Sequence, residues 1–423
     1  MPHSQNTRYL NVQPVYVKPL ATALLCGVMG MSMTACHKIS KPIENPAASL
    51  VKLNQNQNVL SNVFNSNLER ATTTKKVTSS FGKLGDIKLF GKKQQKAQAQ
   101  TVTDLNIVND ASGYVVASPN GTVSALDKQG KKQWQINLKQ GIAAGVVANN
   151  DTVIVSDNNA HLIALDRQTG QKRWQVNMTS SVLSPSLIVN NRVVSLSNDG
   201  VISGLSLQTG AQIWQFATQT PTISVRGSAT PILLDSQNAL IATADGRIHA
   251  INIDNGTPLW SRRIGMAQGA SEIDRLTDID ATPVVSDNML YVVTYSGQLV
   301  GIDMAGQQIN FLQNYASLKS VAVDSSQLYV TTLKGEVLAL DKFTGKVVWQ
   351  SDALANRGLS NPIVAKNYLI VGDASGYLHV FDTSTGKMLD RKHMNNNISS
   401  LTLNNNQLIA QSQTGNFSVW QVN

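Results

Sequence analysis

Cysteine is nearly missing from this sequence. Of 423 residues only Cys26 and Cys36 are cysteines, and both lie ahead of everything that has a folding pattern, so no disulfide framework supports the rest of the chain. A chain of this length builds an adequate core without one. Charged residues make up 14% and aromatics 5%. No helical periodicity is sustained, which argues against a helical solenoid. The apolar run at residues 19–35 is short and gives way quickly to polar sequence, which does not suit a transmembrane anchor. There is no Gly-rich phosphate loop, no plausible nucleophile and base pair, and no zinc-ligand spacing. Neither catalytic chemistry nor a cofactor or metal requirement is visible in the residues themselves.

What is present is a repeat. Residues 335–349, GEVLALDKFTGKVVW, read as a β-hairpin: alternating residues from Val337 to Leu340 lead to Asp341, the turn forms at Thr344 and Gly345, and a second run ends at Trp349. Related stretches begin at residues 121, 160, 200, 246, 297, 376 and 415. The period is near forty, with two long intervals of 46 and 51 residues after positions 200 and 246. Two more short strand-like runs precede each hairpin, as at 361–365 and 368–372. Four strands per repeat and eight repeats predict an all-β fold, an eight-bladed β-propeller with four-stranded antiparallel blades.

Within the repeat, a small residue recurs at Ala125, Ala164, Gly204, Ala250, Gly301 and Ala339, as expected where neighbouring sheets approach closely. An aromatic recurs at Trp134, Trp174, Trp214, Trp260, Phe311 and Trp349. An aromatic that returns once per repeat belongs to packing, covering a neighbouring blade with a large apolar face. Asp390 stands in its place once, so that junction should pack differently. His249 and His379 share a repeat position held elsewhere by Ser124, Ser203, Val300 and Leu338, so no ring of ligands follows. The last repeat stops soon after its third strand. Residues 84–90, LGDIKLF, are a candidate for the strand that closes the circle.

The N-terminal part has a different character. Basic residues precede the apolar run 19–35, which reads as a secretory signal, and Met33-Thr34-Ala35-Cys36 resembles a bacterial lipobox. The expectation is a signal peptide at 1–35, Cys36 diacylated as the new N-terminus, a polar, basic tether over 36–83, and the propeller over 84–423. His37 after the cysteine, rather than Asp, is what lipoprotein sorting to the outer membrane implies. The net charge of +9 resides in this part: residues 1–100 hold 13 Lys and Arg against 3 Asp and Glu, while the rest is nearly neutral. With export signalled, the basic residues between Lys75 and Lys96 suit a solvated linker or lipid headgroups. Nucleic acid is not expected as a partner.

The two long intervals contain the extended connections 218–231 and 265–283, which in a propeller emerge side by side on one face. One offers Ile223, Val225 and Arg226; the other offers Glu272, Asp274, Arg275, Asp278, Ile279 and Asp280. An arginine flanked by apolar residues is what a partner-binding hot spot needs, and equally what a brace to Asp278 or Asp280 needs. A calcium site at Asp274, Asp278 and Asp280 lacks the Gly-centred ligand loop that would support it.

The repeat pattern is similar to the tryptophan-docking repeat of pyrroloquinoline-quinone dehydrogenases, which keeps a quinoprotein enzyme as an alternative, beside a cell-wall or polysaccharide-binding propeller. More of the chain resembles the BamB family, propeller lipoproteins of the machinery that assembles β-barrels in the bacterial outer membrane. The lipobox, the eight repeats, Ser224-Val225-Arg226-Gly227 and residues 271–280 (SEIDRLTDID) carry that resemblance. It implies a non-catalytic scaffold on the periplasmic face of the outer membrane, held in the inner leaflet by Cys36. It further implies contacts to the barrel subunit BamA through Ile223, Val225, Arg226, Asp278 and Asp280, with nascent outer-membrane proteins as further partners.

Overall fold

The computed structural model describes residues 105–422 apart from 222–227, 267–275, 395–396, 405 and 413–415. All regular elements among the described residues are strands, arranged as eight antiparallel sheets. Seven sheets have four strands paired in chain order, and the eighth has three described strands, Ser400–Asn404, Gln407–Gln411 and Phe417–Gln421. These are the blades of the expected propeller. Blade 8 meets blade 1 through a shared core of Ile107, Tyr114, Val116, Leu126, Ile409, Phe417 and Val419, so the ring is closed. The signal 1–35, the tether 36–83 and the proposed closing strand 84–90 lie outside the described residues.

The two middle strands of each blade are buried on both faces. In blade 6, Val337, Leu338, Ala339 and Leu340 are all 0% exposed, because neighbouring blades cover the sheet from either side. The run is therefore a doubly buried strand rather than a one-sided alternation. Outer strands behave differently: in Lys172–Asn177 only Trp174 is buried. That single buried aromatic is the link to the next blade.

How the link works follows from the turn. Asp341 Oδ1 accepts from the backbone N–H of Phe343 and Thr344 and from the Thr344 hydroxyl, at 3.1, 2.7 and 2.8 Å. This Asx arrangement ends at Gly345, whose φ of 68° is open to glycine at low cost. The preceding blade lays its aromatic on that glycine. Trp134, Trp174, Trp214, Phe311 and Trp349 cover Gly170, Gly210, Gly256, Gly345 and Gly386, where an added Cβ would stand 2.4–2.7 Å from the ring. Each indole then donates Nε1–H to a turn carbonyl: Trp134 to Arg167, Trp174 to Leu207, Trp214 to Ile253 and Trp349 to Thr383, at 2.7–2.8 Å. Phe311 has no such donor, and Gln313 Nε2 supplies one to the Gly345 carbonyl at 3.0 Å.

The recurrent small residue serves this same ring. Ala125, Ala164, Gly204, Ala250, Gly301 and Ala339 stand directly across from the aromatic of their own blade. The expectation of close sheet-to-sheet approach is corrected accordingly: the space is taken by the aromatic, and a Cβ on Gly204 would lie 2.0 Å from the Trp214 ring. Where Asp390 replaces the aromatic, its partner is Val380, and the junction is filled by aliphatic residues such as Ile370, Leu378, Ile398 and Leu408.

Gly204→Val should therefore destabilise the protein by about 2–4 kcal/mol, through overpacking of Trp214 and loss of its dock. Denaturant unfolding of the variant checks this, and Gly204→Ala should cost less, since alanine occupies the site in four other blades.

Candidate functional site

The first long connection leaves the outer strand of blade 3, Gln212–Ala217, and enters the inner strand of blade 4, Ile232–Leu233. Its start is tied down: the Thr218 and Thr220 hydroxyls donate to the Gly200 and Asp199 carbonyls, both at 2.7 Å. The second connection leaves the outer strand of blade 4, Pro258–Arg263, and enters Val284–Ser286 of blade 5. It folds back over a turn of its own blade, where the Thr277 hydroxyl donates to the Ala244 carbonyl at 3.3 Å. Gly265 is required by this return, because a Cβ there would lie 2.4 Å from the Thr277 carbonyl oxygen.

The ends of the two connections meet. Thr230 N–H donates to the Thr282 hydroxyl at 3.2 Å, and Ala229, Ile264 and Ile279 join one apolar cluster with Leu240, Ile248 and Leu290 of blades 4 and 5. The expected adjacency is thus built from a hydrogen bond and a shared core. Neither threonine had a signal in the sequence, since a residue that pins one loop to another looks like any other loop polar residue.

Of the expected contact residues, Ile223, Val225 and Arg226 lie outside the described residues, as do Glu272, Asp274 and Arg275 of the second connection. Ile279 does not offer itself to a partner: it is 1% exposed, packed inward with Ile264 and Leu290. Asp278 is also enclosed, at 0% exposure, and its carbonyl accepts from Tyr295 N–H at 3.1 Å. Asp280 is half-buried, and its Oδ2 is shut away from water without a hydrogen-bond partner among the described residues. Burial, and then the negative charge of Asp278, push the Asp280 carboxyl up to about 7. The two carboxylates therefore stand near each other within the second connection, poorly solvated and mutually unfavourable when both are ionised.

The histidines singled out by their shared repeat position are structural. His379 Nε2 and Arg357 Nε both reach Asp373 Oδ2, at 2.8 and 2.5 Å, in a wholly buried cluster. His249 lies against the Thr243 hydroxyl at 3.2 Å, and that hydroxyl donates to Asp245 at 2.5 Å. Burial pulls both histidines below their ordinary pKa.

The sequence profile described as "Outer membrane protein assembly factor BamB" matches residues 119–351, which run from blade 1 to blade 6 and include both connections. The chain belongs to the BamB family. It is 42% identical over 281 residues to the BamB of Kangiella koreensis, covering 66% of this chain and 72% of that protein. To the BamB of Legionella pneumophila it is 41% identical over 297 residues, covering 70% and 77%. The crystal structure of BamB from Moraxella catarrhalis superposes with a TM-score of 0.72 at 40% identity, covering 75% of this chain and 96% of that one. A europium-containing methanol dehydrogenase aligns with a TM-score of 0.61 at 14% identity, a likeness of fold alone.

The raised Asp280 carboxyl has a measurable consequence. A carboxyl whose pKa rises on folding is protonated in the folded chain while the unfolded chain is already ionised, so stability falls as pH rises from about 4 to about 7. Asp280→Asn should flatten that part of the pH–stability curve and raise stability near pH 7.5 by about 1–3 kcal/mol. Thermal melts of both proteins across this range check it.

Proposed function

We propose that this chain is a non-catalytic scaffold lipoprotein of outer-membrane protein assembly, docking a BamA-type barrel subunit on the connections around blades 4 and 5. The observation that carries the reading is that the two longest connections are pinned together on one rigid edge in a chain of the BamB family. Arg226, with Ile223 and Val225, is the hot spot of this surface, in contact with the partner. Asp280, half-buried, steers and registers the encounter, and Asp278, enclosed in the same connection, sets the position of that loop. Lipidated Cys36 holds the protein to the inner leaflet of the outer membrane on the periplasmic side, and nascent outer-membrane chains are further clients. The fold shared with quinoprotein dehydrogenases supplies a scaffold, and no cofactor is part of this function.

Arg226→Glu should weaken binding of the barrel subunit by about 2 kcal/mol or more while leaving the melting temperature within a degree or two, since a surface-loop side chain contributes little to the core. A double-mutant cycle between Arg226 and Asp280, read by binding and by melting, separates contact from bracing. Coupling confined to melting, with affinity unchanged in every variant, removes the proposed surface. Binding of the quinone with calcium, giving dye-linked oxidation of alcohols or sugars, would replace the scaffold reading by an enzymatic one.

Cys36→Ser should leave a folded but unanchored protein. Detergent phase partitioning is expected to move the variant into the aqueous phase; its retention with membranes would shift the anchor to the basic segment between Lys75 and Lys96 or to the partner.

A further inference from the structure

Among the junctions that keep their covering aromatic, one departs from the docking rule, and it does so by a single residue. The position four after the turn acid or its substitute is Gly170, Gly210, Gly256, Gly345 and Gly386 in blades 2, 3, 4, 6 and 7. In blade 5 it is Gln307, held in the same left-handed region at φ 50°. Since a Cβ at the glycine sites would meet the covering ring, Trp260 of blade 4 cannot lie down on Gln307 as its counterparts do. Its Nε1 has no hydrogen bond among the described residues, whereas the other four docking indoles all donate to the turn. The junction is held instead by Arg262, whose Nη1 donates to the Gln307 carbonyl. This is the register in which Gln313 bonds Gly345 one blade further on.

The undocked ring leaves a cavity of about 280 Å³ bounded by Trp260, Ser261, Arg262, Ile302, Met304 and Gln307. Its walls combine the apolar surfaces of Trp260, Ile302 and Met304 with Ser261, Arg262 and Gln307, and the donors at its edge are the Trp260 indole N–H and the Arg262 guanidinium. On either side, Leu259 and Ile309 of the outer strands are 51% and 42% exposed. The geometry points to a second binding site, distinct from the long connections. It takes one bulky apolar side chain of an extended protein segment, with a backbone carbonyl of that segment accepting from Trp260 or Arg262. The complement is the one the fold itself uses at its other junctions: an apolar contact on the ring face, together with a peptide oxygen for the indole N–H. A purely polar ligand leaves the Met304 and Trp260 walls unsatisfied, and a free hydrocarbon leaves the donors so.

The test uses the full chain with its tryptophan indoles labelled with nitrogen-15, and two probes, N-acetylphenylalaninamide and N-acetylalaninamide. The phenylalanine probe is expected to shift the Trp260 indole N–H resonance in a saturable way, with the alanine probe at least tenfold weaker. Gln307→Gly supplies the missing glycine, so Trp260 should dock, the melting temperature should rise, and the probe-induced shift should vanish. Met304→Asp, on the cavity wall, should weaken the shift by tenfold or more without docking the ring. A Trp260 resonance unmoved by the phenylalanine probe would overturn the site, as would an equal response to both probes or an undiminished shift in Gln307→Gly.

Discussion

An aromatic ring laid on a glycine of the next blade is the interaction on which this ring of sheets depends. Hydrogen bonds within a blade cannot join it to its neighbour, because each sheet completes its ladder internally. What joins blades is the apolar packing of their middle strands, and the aromatic gives that packing a register. It fits where its surroundings meet it on each side. A small residue lies opposite it in its own blade, a left-handed glycine lies beneath it in the next, and a turn carbonyl there faces a donor, the indole N–H or, beside Phe311, the Gln313 amide. The turn supplies the last two at once, since the Asp carboxylate that gathers the backbone N–H groups also sets the glycine and presents the carbonyl.

Of the exceptions to that rule, one marks out a sector. Asp390 paired with Val380 is a local repair by aliphatic packing and leaves a filled core. The junction of blades 4 and 5 is different, since Gln307 prevents docking and a cavity remains. Both long connections flank blade 4, and the second of them carries an acidic pair, Asp278 enclosed and Asp280 half-buried. Unfavourable features of this kind, an unsatisfied carboxylate and an undocked indole, cost stability and tend to collect where a protein meets something else. Their concentration around blades 4 and 5 is the physical basis for placing function there.

Much of this was legible in the sequence because it is local and periodic. The hairpin, the Asp-to-Gly turn and the aromatic all repeat in short windows, so eight blades could be counted from residues such as Asp341, Gly345 and Trp349. The long intervals around blade 4 were readable by length alone. What was not legible depends on register across strands and on which way a loop residue turns. The role of Gly204 required knowing that it faces Trp214 rather than another sheet. Ile279 and Asp278 read as offered side chains but are folded inward, Ile279 into the cluster of Ile264 and Leu290, which a loop's sequence does not announce. Gln307 was in plain view, yet its importance appears only once the ring above the equivalent glycines is seen.

The claim that function is concentrated in one sector is most directly tested by photocrosslinking in intact cells, with a photoreactive residue placed in turn at equivalent positions of all eight blades. The account predicts adducts with the barrel subunit from the connections flanking blade 4 and little from the matching connections of blades 1, 2, 7 and 8. Adducts distributed evenly around the ring, or strongest on the side opposite blade 4, would contradict it.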